Sequence, residues 1–348
     1  MLVYILFQVL IAWLLLTKFK YRLELSFLFL FVFSAIRFDV GYDFLSYYTA
    51  IADYGGDTET FRRFGFFHGI LIKLSSYLEF FQLYFILTSF FFYYFFYLVI
   101  RDFSDFPVVS LMVFIAIPFF FLMSFNFIRQ FSALILVYYG FRYIFERRVV
   151  SYFLIVLLAS SIHYTSIIAL PLYYLYSRRF HWMVYVLVLI SSFFAFPLAK
   201  YMVSVLVPGY SHYLDSPNKG GAVFQFFIFI LSSLFLALGQ YRGDVYRRFY
   251  FDVFILGVVL YNTFQPIGFA GTRVSYYYLF SLVLLVPKLF ISVRPRQFLA
   301  IFFLLISILF LISLVLHSKV GTRSPSIPYS IFFGKTIEDI RPYDWVKE

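Results

Sequence analysis

Uncharged apolar stretches long enough to cross a lipid bilayer recur along the whole chain. That recurrence limits what the chain can fold into more than any other feature. Residues 80–100, FFQLYFILTSFFFYYFFYLVI, run from Glu79 to Arg101 without a charge. A spanning helix needs about 17–25 apolar residues. Further apolar stretches, with at most one Asp, Lys or Arg each, occupy 2–17, 106–123, 130–145, 181–206, 222–240, 249–264, 274–290 and 297–316. The stretch 23–36 is shorter, and 150–177 is long but interrupted by SSIHYTS, so it fits either one span or two short ones. Only 13% of the 348 residues are charged and 63% are hydrophobic, whereas soluble domains carry about 25% charged residues. A soluble core of this size cannot absorb so much apolar surface. The chain reads as an all-α polytopic integral membrane protein, a single transmembrane domain over 1–348.

The connections set the topology. Lys18, Lys20 and Arg22, then Arg101, then Arg142, Arg147 and Arg148, then Arg178 and Arg179 sit in short links between apolar runs. Arg242, Arg247 and Arg248, and finally Lys288, Arg294 and Arg296, continue the series. The positive-inside rule assigns all of them to the cytoplasmic side. That assignment requires 150–162 and 164–177 to form a hairpin with His163 near its outer turn. The count then comes to about twelve spans with both termini outside. In the first segment, MLVYILFQVLIAWLLLTKFKYR, the positive charges follow the apolar stretch and no small-residue cleavage site is present. It reads as a first membrane helix rather than a removed signal.

On this topology the outer side receives the stretch 37–79 with its interfacial amphipathic segments, the 124–130 turn, the loops 207–221 and 265–273, and a tail from 317 to 348. The net charge of +11 follows from topology signals and bound phosphate. No basic run interleaved with aromatics calls for nucleic acid. The chain contains no cysteine, which excludes disulfides, thiolate metal sites and cysteine nucleophiles. It has no HExxH, no Walker-type loop and no other acidic or histidine cluster at ligand spacing, so neither a metal nor a cofactor is expected.

The polar residues that topology does not explain gather on one membrane face. Arg37, Asp39 and Asp43 follow the second span. Asn126, Arg129 and Gln130 begin the fifth, His163 lies at the hairpin turn, and Gln265, Thr272 and Arg273 precede the tenth. An arginine at the centre of a membrane helix costs at least ~2.5 kcal/mol, so these arginines need a compensating partner. The guanidinium fork matches phosphate oxygens and stays charged, which suits a lipid diphosphate headgroup. Each position also has a plainer reading. Arg37 fits interfacial snorkelling, Asp39 and Asp43 fit pairing with Arg37, and Arg273 fits the end of the loop PIGFAGTR. His163 fits a satisfied buried histidine as well as a catalytic one.

Five segments then combine into a resemblance: IRFDVGYDFLSYY (36–48), NFIRQFSALI (126–135), SIHYTSIIALPLYYL (161–175), GTRVSYYY (271–278) and SIPYSIFF (326–333). Together they resemble the EpsG-type, Wzy-like polysaccharide polymerases. The hallmarks of that family look like R-x-x-x-G-x-D-x-x-x-Y, N-x-x-R-Q, H-x-[ST] and R-x-x-x-Y in this order. One departure stands out: relatives commonly carry an acidic residue and a proline where this chain reads RRFGFFHGILIK (62–73).

The resemblance implies a GT-C-like glycosyltransferase architecture in the bacterial inner membrane with its active site facing outward. It implies metal-independent joining of undecaprenyl-diphosphate-linked repeat units into O-antigen, capsule or exopolysaccharide. Donor and acceptor lipid-linked glycans and the bilayer are then the partners, with a chain-length regulator as a further one. On this reading Arg129, Arg273 and Arg37 hold the donor diphosphate, and His163 is the base, with Asp43 its competitor. Asn126 and Gln130 fix Arg129 or bind sugar, and Tyr276 and Tyr277 support Arg273. The alternatives are a lipid-linked oligosaccharide flippase or exporter, an O-antigen ligase, and a membrane acyltransferase.

Overall fold

A computed structural model describes residues 2–54, 58–206, 221–289, 308 and 328–340. The expected span 297–316, most of the loop 207–221 and much of the tail therefore lie outside the described residues. Among those described, regular structure is helical except for one antiparallel pair of two-residue strands. The all-α membrane reading holds.

The helices form two compact units. One comprises Met1–Gly140, Leu154–Ser166 and Phe290–Glu348, and the other Phe141–Phe153 and Ile167–Leu289. The first begins with α1 (Leu2–Leu16) and α2 (Arg22–Ala35), followed by strand β1 (Arg37–Phe38). Three short helices then occupy the expected amphipathic stretch: α3 (Phe44–Ala52), α4 (Thr58–Phe64) and α5 (Phe66–Tyr77). The long helix α6 (Gln82–Phe103) comes next. At ~1.5 Å per residue its 22 residues are about 33 Å long, enough for the hydrocarbon core. It packs against α2 and α5 and also against α7 (Pro107–Ala116) and α9 (Ile128–Tyr139).

Between α7 and α9 lies α8 (Pro118–Asn126), bent 66° from α7. The break follows from Pro118, which lacks the amide that would continue the helix and keeps Ile117 extended. The expected span 106–123 is therefore bent at Pro118 rather than straight. Strand β2 (Ser330–Ile331) returns to β1, pairing Arg37 with Ile331 and Phe38 with Ser330. Tyr329 stacks on Phe33 of α2 at 4.2 Å.

The second unit contains α10 (Phe141–Phe145), the start of α11 (Val149–Ile162), α12 (Leu172–Leu175), α13 (Trp182–Ser192), α14 (Phe196–Leu206), α15 (Ala222–Ala237) and α16 (Val245–Phe264). Short turns α17 (Gly268–Thr272) and α18 (Tyr276–Leu279) lead into α19 (Leu282–Leu289). Helix α16 is the hub of this unit, touching α13, α15, α18 and α19.

By length and apolarity, two helices among the described residues can cross a bilayer, Gln82–Phe103 and Val245–Ile267. The number reaches four if each bent pair, α7 with α8 and α13 with α14, counts as one span. The stretch 150–177 resolves as two pieces. The Tyr152 hydroxyl donates to the Ala169 carbonyl at 2.7 Å, and the Tyr152 ring stacks on Tyr173 at 6.0 Å. In a continuous helix residues 152 and 169 would stand about 25 Å apart, so the chain folds back on itself around His163.

Candidate active site

The first unit carries the segment Arg37–Asp43 against the ends of α8 and α9, and a glycine makes this possible. Gly41 has φ +111°, and a Cβ there would fall 2.5 Å from the Phe125 carbonyl oxygen. With no side chain in the way, the Tyr42 amide donates to Asn126 Oδ1 at 2.8 Å. Asn126 is fully buried and its Nδ2 points to the Met123 sulfur. It pins the loop to α8, and Gln130 is buried beside it on α9.

Arg37 lies inside the protein, 1% exposed. Its Nη1 donates to the Ser34 carbonyl, to Ser34 Oγ at 2.9 Å and to Ser89 Oγ at 3.3 Å. The guanidinium sits between the rings of Phe85 and Phe125, 5.3 and 5.1 Å from their centroids. These hydroxyls, one carbonyl and two rings are its partners among the described residues, rather than Asp39 or Asp43. Burial lowers its pKa to about 10, so the group remains a cation at neutral pH.

Arg129 is placed differently. It is half-buried at the start of α9. Its Nη1 donates to the Arg63 carbonyl at 2.9 Å, its guanidinium lies 5.4 Å from the centroid of Phe64, and it acts electrostatically on Tyr47. Arg63 presents its own guanidinium to the same ring at 5.1 Å and donates to Ser46 Oγ at 3.2 Å. Two cations thus share one aromatic ring. Asp43, in the last position before α3, acts electrostatically on Arg129 and Tyr47. Both holds on Arg129 come from one short segment: the backbone carbonyl of Arg63 and the ring of Phe64.

His163 is half-buried where α11 ends, its Nδ1 2.6 Å from Thr165 Oγ1 and its ring stacked on exposed Tyr164. The H-x-[ST] spacing is what brings the hydroxyl within reach. An Nδ1–H donated to Thr165 makes Nε2 the acceptor, the tautomer a base requires. Gly65, at φ +80°, lets the α4–α5 turn approach the Ser161 carbonyl, where a Cβ would stand 3.2 Å from the oxygen.

One residue of this group was not expected from the sequence. His68, on α5, is fully buried, and its Nδ1 lies 2.7 Å from the Tyr84 hydroxyl. Burial, then the charges of Arg129 and His163, push its pKa well below the ordinary histidine value, so His68 is neutral. The signal available in the sequence is the i, i+4, i+7 spacing of His68, Ile72 and Ser75 on the buried face of α5.

The first unit therefore gathers Asp43, Arg129 and His163 around His68, Tyr47 and Tyr84, and keeps Arg37 and Asn126 behind them as buried supports. Arg273, Tyr276 and Tyr277 belong to the second unit. There Arg273 opens a 3-10 turn, half-buried, and acts electrostatically on Tyr276, and both tyrosines are fully buried. Among the described residues no cluster of three or more histidines and acids could hold a metal. The family model described as the EpsG family matches residues 20–331. No curated protein and no solved structure matches the chain.

Proposed function

The chain belongs to the EpsG family, and from that premise we propose that it is a polysaccharide polymerase of the inner membrane acting on undecaprenyl-diphosphate-linked repeat units at the outer face. Its spans number about twelve in a GT-C-like arrangement on this reading. The observation that carries it is the pair of guanidinia, Arg63 and Arg129, on opposite claims to one Phe64 ring. Like charges so close call for an anion between or beside them, and a diphosphate supplies it.

In the reaction the acceptor hydroxyl attacks the anomeric carbon of the donor and gives its proton to His163 Nε2. The new glycosidic C–O bond forms as the bond from that carbon to the diphosphate oxygen breaks. The electron pair leaves on the diphosphate, where Arg129 stabilises the developing charge. Arg37 contributes a fixed positive charge from behind the loop. Asp43 is the second candidate base. Arginines then do the work a divalent cation does in other diphosphate chemistry.

The test is a reconstituted reaction with purified protein and a defined lipid-linked repeat unit. A ladder of polymer that survives a chelator supports the reading. Absence of a ladder together with lipid-linked glycan crossing the bilayer would replace it with the flippase reading. Loss of the ladder on chelation would bring a metal into the mechanism.

A further inference from the structure

A pocket of about 280 Å³ opens in the second unit between two turns. One turn follows α10 and carries Arg147, and the other follows α12 and carries Ser177 and Arg178. Arg147, Tyr173, Tyr174, Tyr176, Ser177 and Arg178 line the pocket. Its volume is close to the lower end of the range for small-ligand sites, about 300 Å³. The proposed reaction uses none of these residues.

The pocket is held in shape from within. The Arg147 guanidinium lies 4.5 Å from the centroid of Tyr176, its Nη1 donates to the Tyr176 carbonyl at 3.5 Å, and its Nη2 donates to Ser177 Oγ. The Tyr176 ring packs in turn on Phe145 at 5.2 Å and Phe249 at 5.8 Å. Arg147 and Ser177 take φ of +60° and +72°, a region that residues other than glycine rarely occupy. Strain of this kind collects at ligand sites.

The charge of the pocket is not balanced. The neighbouring Arg148 pairs with Glu146 at 3.4 Å. Arg147 and Arg178 have no acidic partner among the described residues. Arg178 spends Nε on the Tyr174 carbonyl at 3.3 Å, which leaves both its terminal nitrogens to donate. Two forked cations with tyrosine hydroxyls beside them suit a phosphate that carries a hydroxylated substituent. The surroundings favour a lipid as the source of that phosphate. Tyr174 is 59% exposed, and Val149 and Val150, which open α11 next to Arg147, are exposed as well. The positive-inside rule assigns Arg147 and Arg178 to the cytoplasmic surface, where basic pockets and tyrosines meet lipid headgroups.

We propose that this pocket binds the headgroup of an anionic phospholipid of the cytoplasmic leaflet. Arg147 and Arg178 hold the phosphate, Tyr173 and Tyr174 face the hydroxyls of the headgroup, and the acyl chains lie along the exposed start of α11. The site does not depend on the diphosphate reading of Arg129.

The experiment uses the full chain purified in detergent and titrated with phosphatidylglycerol, phosphatidylcholine or glycerol phosphate, with bound molecules counted by native mass spectrometry. Phosphatidylglycerol should saturate a single tight site, and phosphatidylcholine should bind it at least about tenfold more weakly, having no net negative charge. Arg147→Gln and Arg178→Gln should each weaken phosphatidylglycerol binding by about tenfold, the worth of a hydrogen bond between charged groups. Arg148→Gln removes the same charge from a residue already paired with Glu146 and should stay within about twofold of wild type. Should Arg147→Gln fail to fold, Arg178→Gln carries the test, because its side chain makes one hydrogen bond to the protein. Equal binding of the two lipids, or a loss in Arg148→Gln as large as in Arg178→Gln, overturns the proposal in favour of general attraction to a basic surface. Glycerol phosphate binding as tightly as the lipid overturns the lipid source and makes the ligand a soluble phosphate ester.

Discussion

Replacing Arg129 by lysine keeps the positive charge and removes the fork, which isolates what geometry contributes. The guanidinium serves two partners at once: the Arg63 carbonyl at 2.9 Å and the face of Phe64 at 5.4 Å. An ammonium is a single point on a flexible stem and cannot hold both in the same geometry while also presenting a fork. Losing one charge-assisted hydrogen bond costs about 1.5–3 kcal/mol. Losing the cation–aromatic contact at a half-exposed site costs about 0.5–1 kcal/mol. The sum, about 2–4 kcal/mol, corresponds to a roughly 30- to 1,000-fold lower rate. The assay is the initial rate of polymer formation by purified protein on a defined lipid-linked repeat unit, normalised to folded protein. The loss should appear in kcat as well as kcat/KM, because charge on the leaving diphosphate grows in the transition state. Arg129→Gln should be slower still, having lost the charge too. A lysine variant within about twofold of wild type would refute the argument that the fork matters.

Three other perturbations follow from the same geometry. His163→Ala at normal expression should abolish long polymer in cells, while Thr165→Val should lower the rate by about tenfold by removing the hydroxyl that holds the imidazole at 2.6 Å. Gly41→Ala should lower stability by about 1–3 kcal/mol through strain at positive φ, plus the collision of its Cβ with the Phe125 carbonyl. Gly239→Ala, where φ is +68° but the nearest atom is 3.8 Å away, should cost less in the same thermal melt. Because the His68 pKa is depressed in the folded protein, the unfolded chain binds the extra proton first. The stability that this group contributes is therefore fully present above about pH 6.5 and drains as pH falls below it, by up to about 1.4 kcal/mol per unit. His68→Asn should flatten that slope, and an unchanged slope would show that some other group carries it.

The sequence made the helices legible where apolarity was continuous and proline or a polar turn marked the ends. Residues 80–100 became α6, and SSIHYTS became the fold-back at His163. Breaks inside apolar runs were harder to read, because a bend changes no side chain's hydropathy. The bend at Pro118 and the one between α13 and α14 fall within stretches that read as single spans. Within the site, the motifs picked out Arg129 and His163 but gave no sign that Arg37 is buried, since a snorkelling arginine and a sealed one occupy the same kind of position beside an apolar run. His68 was hidden for the opposite reason. It lies in an exposed-looking segment with Arg62, Arg63 and Lys73, and only the packing of α5 against α3 and α6 turns its face inward.

The contrast between Arg37 and Arg129 explains how one motif-rich surface divides its labour. On the proposed function Arg129 must keep N–H groups available for the diphosphate, and it is half-buried, held by the Arg63 carbonyl and the Phe64 ring. Arg37 commits Nη1 to Ser34 and Ser89 and both its faces to Phe85 and Phe125. Burial lowers its pKa to about 10, yet at pH 7 that still leaves about one neutral molecule in a thousand. It is thus a permanent charge in a medium that screens poorly, and on the proposed function its field would act on the diphosphate without touching it. Removing it would cost the fold its buried network as well as that field. Removing Arg129 would cost one carbonyl bond and one ring contact at a half-buried site, and so Arg37 variants should lose more stability than Arg129 variants even where both abolish polymer.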